Sequence, residues 1–283
     1  MQAGFIGLGS LGTAMVTRLA DEGIELLVWN RTRARAEGLN AARADSPMDM
    51  INRAPVVILN LFDSTAVNDV LTGPEGIFSG DCRNKLIIDT TTNHFETVTD
   101  FHQLCADHDI AYIEAPVAGS VVPTLKGRLA ILVSGRRENF ERALPYLKLL
   151  GQSIFYLEAP GLATKMKLIN NLVLGTFMAT LAEAVVLGEK AGLNKEMVLD
   201  ILGAGAGNSG VLSAKRQKLL DDDFGVHFSS AAIHKDLALM RELATVLGRE
   251  CLTGQAPKDI FARAIATGMG ADDFSGIYRI LKK

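Results

Sequence analysis

Two short stretches of this chain hold residue types at spacings that can do chemistry. Residues 165–171 read Lys-Met-Lys-Leu-Ile-Asn-Asn, two ammonium groups followed by two amides. On a helix, Lys165 and Lys167 point about 200° apart, so they cannot serve the same cleft and only one of them can be catalytic. An ammonium in a partly desolvated cleft stabilises negative charge that builds on a carbonyl oxygen and can pass it a proton. Near the other end, GFIGLGSLG at residues 4–12 sets Gly7, Gly9 and Gly12 in G-x-G-x-x-G spacing, with Leu11 between the last two. After a strand and at the start of a helix, such glycines permit a tight turn, close approach of a pyrophosphate and close helix-to-sheet packing. The helix N-terminus then faces the phosphates. Without that setting the run is only a flexible turn.

The surrounding sequence supplies the setting. QAGFIG reads as a strand, SLGTAMVTRLADEG as a helix, ELLVWN as a second strand, and a further helix is expected through the thirties. Apolar runs at APVVILNL, KLIIDT, AYIEAP, LAILVSG and SIFYL fit buried strands of a mostly parallel sheet. After Pro160 and Gly161 helical periodicity runs for about thirty residues, a length of about 45 Å. More helices follow, separated by turns such as GAGAGNSG. The expected fold class is α/β: an N-terminal doubly wound parallel sheet of Rossmann type over residues 1–160, joined by a long helix to an all-α domain over residues 161–283. So much apolar helix in the second half points to packing against a second copy, as a homodimer or homotetramer.

At the end of the second strand an NAD site usually carries an Asp or Glu for the ribose hydroxyls. This chain has Asn30, Arg31 and Thr32 there. No carboxylate repels a phosphate, Arg31 can fork onto one, and Asn30 and Thr32 can donate to it, which favours NADP. Arg33 and Arg35 fit a solvated helix face.

The 283 residues are 48% hydrophobic with a net charge of −3, which describes a globular protein and excludes a polyanion binder, so no nucleic acid is expected. No uninterrupted apolar run reaches the roughly eighteen residues of a membrane span. Met1 lies so close to the glycine motif that no signal peptide fits, and no membrane partner is expected. Cys82, Cys105 and Cys251 are widely spaced, with no CxxC pair, and read as buried, reduced thiols of a cytoplasmic protein. The histidines at 94, 102, 108, 227 and 234 lack metal-ligand spacing, so no metal is expected, and His102 and His108 read as solvated on a helix. A GxSxG elbow is missing and no cysteine stands in an evidently basic context, which leaves hydrolase chemistry without a foothold.

EAPVAGSVVPTLKGRLAILVSG, residues 114–135, resembles the β-hydroxyacid dehydrogenase family, whose members carry a DAPVSGG-type segment and a following G-x-L strand, here Gly127, Arg128 and Leu129. Asn30–Thr32 and the APVxGS form are similar to its glyoxylate and succinic semialdehyde reductase branch, and the likeness covers nearly the whole chain. On physical grounds, a strand ending at Glu114 and turning through Val117, Ala118, Gly119 and Ser120 presents backbone N–H groups at the sheet edge, a nest suited to a carboxylate. The chain departs from the family at Ala118, where the family has Ser, so one hydroxyl is missing and Ser120 is the substitute at hand.

The resemblance selects Lys167 and Asn171 as the catalytic pair and leaves Lys165 as a surface charge. It also implies that Lys235 reaches the cofactor, that Asp236 lies near the catalytic lysine, that Phe228 walls the substrate pocket, and that Thr92 neighbours the nicotinamide or ribose. Thr90, Thr91 and Thr92 alone would equally serve a turn and a helix cap before His94. The resemblance implies NADPH-dependent reduction of a small aldehyde acid, of the glyoxylate or succinic semialdehyde type, to the hydroxy acid, with Lys167 as proton donor. Two alternatives stand beside it: an imine reductase, whose kind usually lacks the lysine, and an NADPH-binding sensor without turnover, which only Ala118 favours.

Overall fold

Strand β1 (Gln2–Ile6) turns Phe5 to one face and Ile6 to the other, and both are fully buried in a computed structural model that describes residues 1–282. Burial on both faces is what a parallel sheet covered by helices requires, and it explains why the strands read as continuous apolar runs. After β1 come α1 (Ser10–Asp21), β2 (Glu25–Trp29), β3 (Ala42–Arg43), α2 (Pro47–Arg53), β4 (Val56–Leu59), α3 (Ser64–Thr72), β5 (Leu86–Asp89), α4 (Thr97–Asp107) and β6 (Ala111–Glu114). The six strands are all parallel in the order β3-β2-β1-β4-β5-β6. That is the doubly wound order, whose crevice opens where the direction of winding reverses, between β1 and β4. Phe5, Val28, Ile58 and Ile88 share one core with Met15 and Leu19 of α1, while Ile6, Leu27, Val57 and Ile87 share another with Met50 of α2 and Val67 of α3.

The expected helix through the thirties is only a 3-10 turn over Arg33–Ala36. Ala36 is its single buried residue, and Gly38 then takes a positive φ of 76°, so no apolar face sustains further helix. A second departure concerns the runs at 129–133 and 151–156, which do not extend the main sheet. They belong to a separate sheet, β7-β8-β9, built from β7 (Val117–Ala118), β8 (Leu129–Val133) and β9 (Gly151–Tyr156), with α5 (Val121–Leu125) and α6 (Arg137–Leu150) between them. β7 and β8 pair antiparallel because the short α5 connection cannot make the crossover that a parallel neighbour needs. β9 is not a buried strand: Gln152, Ser153 and Phe155 are exposed.

Helix α7 (Leu162–Lys190) runs 29 residues, followed by α8 (Lys195–Ala204), α9 (Gly210–Asp221), α10 (Ser230–Val246), α11 (Gln255–Ala266) and α12 (Ile277–Lys282). The chain forms two units, Met1–Lys167 and a second beginning at Leu168, so α7 starts in the first and continues as the leading helix of the second. Met178, Ala182 and Val185 of α7 are fully buried with Leu199, Leu219, Ile233 and Phe261 in the core of the second unit. An 18-residue window of α7 has mean hydropathy 1.6, enough in length and composition for a membrane span, which the search for an uninterrupted run missed. The buried face in this core, 44% of that window, accounts for part of the apolarity.

Cys82 and Cys105 are buried free thiols, but Cys251 is only half-buried, because it opens a short 3-10 turn near the surface. Burial pushes the Cys105 thiol far above its ordinary range, so it stays protonated. His102 also differs from the sequence reading: its side chain is 13% exposed, packed edge-on to Tyr112 at 4.8 Å, because it lies on the inner face of α4.

Candidate active site

The glycine motif has a separate physical reason at each position. Gly7 adopts φ 104°, and a Cβ there would lie 2.2 Å from the Asn60 carbonyl oxygen, so the turn between β1 and α1 admits no side chain. At Gly12 a Cβ would meet the Gly7 carbonyl oxygen at 2.0 Å, so the helix packs on the loop only through glycine. Gly9, the N-cap of α1, has no atom within 4 Å of such a Cβ; the space above it is open. Tight turn, close packing and open approach are the three conditions for a pyrophosphate on a helix N-terminus, so the cradle fits a dinucleotide. Leu11 is half-buried and packs against the core beneath the loop.

The end of β2 is tied to that cradle. Asn30 Oδ1 accepts from the Leu8 N–H at 2.9 Å and its Nδ2 donates to the Thr32 carbonyl at 3.0 Å, so Asn30 shapes the loop with its own side chain. Arg31 and Thr32 are exposed beside it. Arg35 is also exposed, but its guanidinium donates to the Leu8 carbonyl at 3.4 Å, so it is fastened to the glycine loop rather than standing on a solvated helix face.

The three threonines after β5 divide their work. Thr90 Oγ1 donates to the Leu59 carbonyl at 2.6 Å and accepts from Asn60 Nδ2 at 2.9 Å, while Thr91 Oγ1 accepts from the Leu61 N–H at 3.0 Å. Both are buried and structural, and Thr92 is the half-buried one. Asp89 holds this loop from below. Its Oδ1 accepts from the Thr91 N–H at 2.9 Å, and its Oδ2 from Asn93 Nδ2 at 2.8 Å and the Tyr112 hydroxyl at 2.7 Å. Burial raises the Asp89 pKa against the lowering effect of those donors.

After β6 the expected run of loop N–H groups is shorter than the sequence suggests, because Val117 and Ala118 are paired with Ile131 and Ala130 in the β7–β8 ladder. Only Gly119 and Ser120 remain at the turn. Gly119 has φ 143°, and a Cβ on it would come within 2.5 Å of Leu129 Cδ2, so glycine is required there. Ser120 is the N-cap position of α5 but accepts no capping bond through its side chain.

Lys167 ends the first unit, buried at 7% relative exposure, in the second turn of α7, whereas Lys165 is half-buried. The first turn of α7 is bound to the ends of β6 and β8. The Glu114 carboxylate accepts from the N–H groups of Gly161 and Thr164 and from the Thr164 hydroxyl, and Ser134 Oγ accepts from the Ala163 N–H at 3.0 Å.

The second unit holds its own polar group. Asn171, fully buried, donates from Nδ2 to Asp236 Oδ2 at 2.6 Å and accepts at Oδ1 from Asn170 Nδ2 at 3.0 Å. Lys235 Nζ lies 2.7 Å from Asp236 Oδ1, so Asn171, Lys235 and Asp236 are brought together. Phe228 is half-buried, edge-on to Phe274 at 5.8 Å. Its backbone N–H and that of His227 donate to Asp273 Oδ2 at 3.2 and 3.0 Å, and Lys215 Nζ donates to the same oxygen at 2.9 Å. Burial pushes Asp273 upward, but Lys215, Ser275 and the His227 N–H outweigh it and the net shift is downward. Burial in turn pulls Lys215 down against Asp273. Several donors converge on the Asp273 carboxylate and hold it below the usual carboxylate range.

Sequence reasoning did not find Glu114 as an anchor, Asp89 as a loop support, or the Lys215–Asp273 pair. Glu114 bonds Thr164 across 50 residues and Lys215 bonds Asp273 across 58, separations that leave no local pattern, while Asp89 reads only as the polar end of an apolar strand.

Residues 2–158 match the family described as the NAD binding domain of 6-phosphogluconate dehydrogenase, and residues 161–281 match that described as NAD-binding of NADP-dependent 3-hydroxyisobutyrate dehydrogenase. Glyoxylate/succinic semialdehyde reductase 1 of Arabidopsis thaliana is 31% identical over 285 residues, covering 100% of this chain and 99% of the relative. The cytokine-like nuclear factor N-PAC of Mus musculus is 33% identical over 276 residues, covering 98% of this chain; the chain spans about half the length of that relative (50%). Among solved structures, 3-hydroxyisobutyrate dehydrogenase of Mycobacterium tuberculosis with L-serine superposes with TM-score 0.84 at 27% identity, over 100% of this chain and 99% of the other.

Proposed function

The chain belongs to the β-hydroxyacid dehydrogenase family of nicotinamide-dependent oxidoreductases, and within it we propose an NADPH-dependent reductase of small aldehyde acids of the glyoxylate or succinic semialdehyde type, with Lys167 as the proton donor. The observation that carries this reading is Lys167 itself, an ammonium withdrawn from water to 7% exposure on a helix whose first turn is fastened to the sheet. The cradle of Gly7, Gly9, Leu11 and Gly12 would hold the pyrophosphate; Asn30, Arg31 and Thr32 the phosphorylated ribose; Thr92 the nicotinamide half. A reduced nicotinamide held by these residues would supply the hydride that the carbonyl carbon accepts. Lys167 stabilises the charge that develops on the carbonyl oxygen and delivers the proton that makes the hydroxyl. Asn171 keeps one Nδ2 hydrogen beyond its bond to Asp236, enough to orient the substrate oxygen or the lysine. Gly119 and Ser120 would receive the substrate carboxylate, and Ala118 leaves room without a hydroxyl.

Homodimer or homotetramer formation belongs to the same proposal. Leu162, Met166, Ile169, Val173 and Phe177 recur at helical spacing along α7 and are 39–48% exposed, an apolar stripe suited to a second copy. A cytoplasmic setting belongs to the same proposal.

The test is loss of absorbance at the nicotinamide band when glyoxylate or succinic semialdehyde is added with NADPH and, separately, with NADH. Consumption of NADPH in preference to NADH supports the proposal. The half-length likeness to a nuclear factor, together with Ala118, favours one second reading, a cofactor-binding module without turnover. Calorimetric NADPH binding with no consumption across aldehydes, ketones and cyclic imines selects that reading instead.

A further inference from the structure

We infer that Glu114 is the positioning residue of the site: its carboxylate fixes the first turn of α7 and so fixes where the Lys167 ammonium stands. The inference rests on the reading of Lys167 as proton donor, and its observations are separate from that reading. The opening N–H groups of a helix have no partner within it and must find acceptors elsewhere. At α7 every one is accounted for: Gly161 N–H donates to Glu114 Oε1, Leu162 N–H to the Ala159 carbonyl at 3.3 Å, Ala163 N–H to Ser134 Oγ at 3.0 Å, and Thr164 N–H to Glu114 Oε2 at 3.0 Å. Only with Lys165, whose N–H donates to the Gly161 carbonyl at 3.0 Å, does the helix's own ladder begin.

Glu114 cannot drift. It is the last residue of β6, fully buried, and its backbone exchanges hydrogen bonds of 3.2 and 3.0 Å with Ser134, so the two residues that cap α7 are also bonded to each other. The Thr164 hydroxyl adds a third donor, which means both carboxylate oxygens act only as acceptors. Glutamine has the same shape but would set an amide NH2 against one of these donors. A negative group at a helix N-terminus is favoured by the peptide dipoles as well. His102 Nε2 is 3.7 Å from Glu114 Oε1, beyond hydrogen-bond distance, and does not compete for that oxygen. Gly161 is part of the device, since it takes φ 85° and a Cβ there would stand 3.2 Å from Thr99 Oγ1. Lys167 follows Thr164 by three residues and shares its side of the helix, so a shift of the clamped turn moves the ammonium with it.

The experiment compares the full-length protein with E114Q, T164V, K167A and the E114Q/K167A double variant. Three quantities are read: kcat for NADPH-dependent reduction of succinic semialdehyde and glyoxylate, the NADPH Kd by calorimetry, and hydrogen–deuterium exchange of the peptide over residues 161–167. A misplacement of about 1 Å costs on the order of 100-fold in rate, so E114Q is expected to lower kcat by about that factor, with NADPH Kd within about twofold. Exchange over 161–167 is expected to quicken by about tenfold or more, and T164V, which keeps both N–H bonds, to fall between wild type and E114Q. Because Glu114 acts through Lys167, E114Q should lower kcat no further in the K167A background, whereas a merely structural role would lower it again. An E114Q protein with wild-type kcat, unchanged exchange, or additive loss in the double variant overturns the inference. Should E114Q not fold, T164V carries the same three readouts. If the wild-type protein consumes NADPH with neither aldehyde, the functional reading has failed, and the exchange of 161–167 still decides whether Glu114 clamps the helix.

Discussion

Arg31 stands exposed beside a loop shaped by Asn30, at the place where a site for the unphosphorylated cofactor would carry a carboxylate. A charge-assisted hydrogen bond contributes about 1.5–3 kcal/mol, so Arg31→Ala should weaken NADPH binding by about 10- to 150-fold and leave NADH binding nearly unchanged, as calorimetric titration with both cofactors will read. Ala118 invites the opposite kind of change. It lies beside the turn at Gly119 and Ser120 with no hydroxyl of its own, and Ala118→Ser should lower KM for a carboxylate-bearing aldehyde by about 3- to 10-fold with little effect on kcat, the gain of one modest hydrogen bond. Such residue types at their spacings were legible in the sequence because their constraints are local. Whether a lysine is withdrawn from water was not: Lys165 and Lys167 look alike in the sequence, and it is packing that leaves the first half-buried and the second at 7% exposure.

Turns and helix ends do most of the positioning. Gly12→Ala would push a methyl toward the Gly7 carbonyl, within 2.0 Å if nothing moved, so α1 must retreat from the loop; NADPH binding is expected to fall by about 100-fold or more while the far-UV spectrum stays native. In the second unit, the buried Lys215–Asp273 pair fastens the segment that carries Phe228. Removing one partner leaves the other charged and buried, so Asp273→Ala should destabilise this unit by about 3–5 kcal/mol. Its pH dependence has a fixed sign. Asp273 is shifted downward in the folded chain, so its stabilisation is present above the unfolded carboxyl value of about 3.9 and is lost as pH falls through the lower folded one. Denaturant unfolding between pH 5 and pH 2, given as approximate limits, should show that slope in the wild-type protein and a shallower one in Asp273→Asn. The strands of the main sheet were readable from burial on both faces, while β8 and β9, legible as strands, form a separate sheet because antiparallel return after β6 depends on the length of α5, not on the strands' own composition.

Over the whole chain, the passage from sheet to helices follows from hydrophobic period. What the pattern could not supply was long-range polar bonding, such as Glu114 to Thr164 or Lys215 to Asp273, since hydrogen bonds across 50 and 58 residues leave no periodic trace. Association of two copies through the exposed stripe of α7 is the proposal at this scale: under it sedimentation should give a dimer or tetramer, and Val173→Glu should shift it toward monomer, because a charge would then enter an apolar contact. A sedimentation pattern that stays monomeric at all concentrations contradicts that assembly without touching the chemistry. The chemistry is tested most directly by the turnover of Lys167→Ala with NADPH and the preferred aldehyde acid. Loss of its ammonium should lower kcat by about 100- to 10,000-fold with NADPH affinity unchanged; a variant that turns over at the wild-type rate would contradict the account.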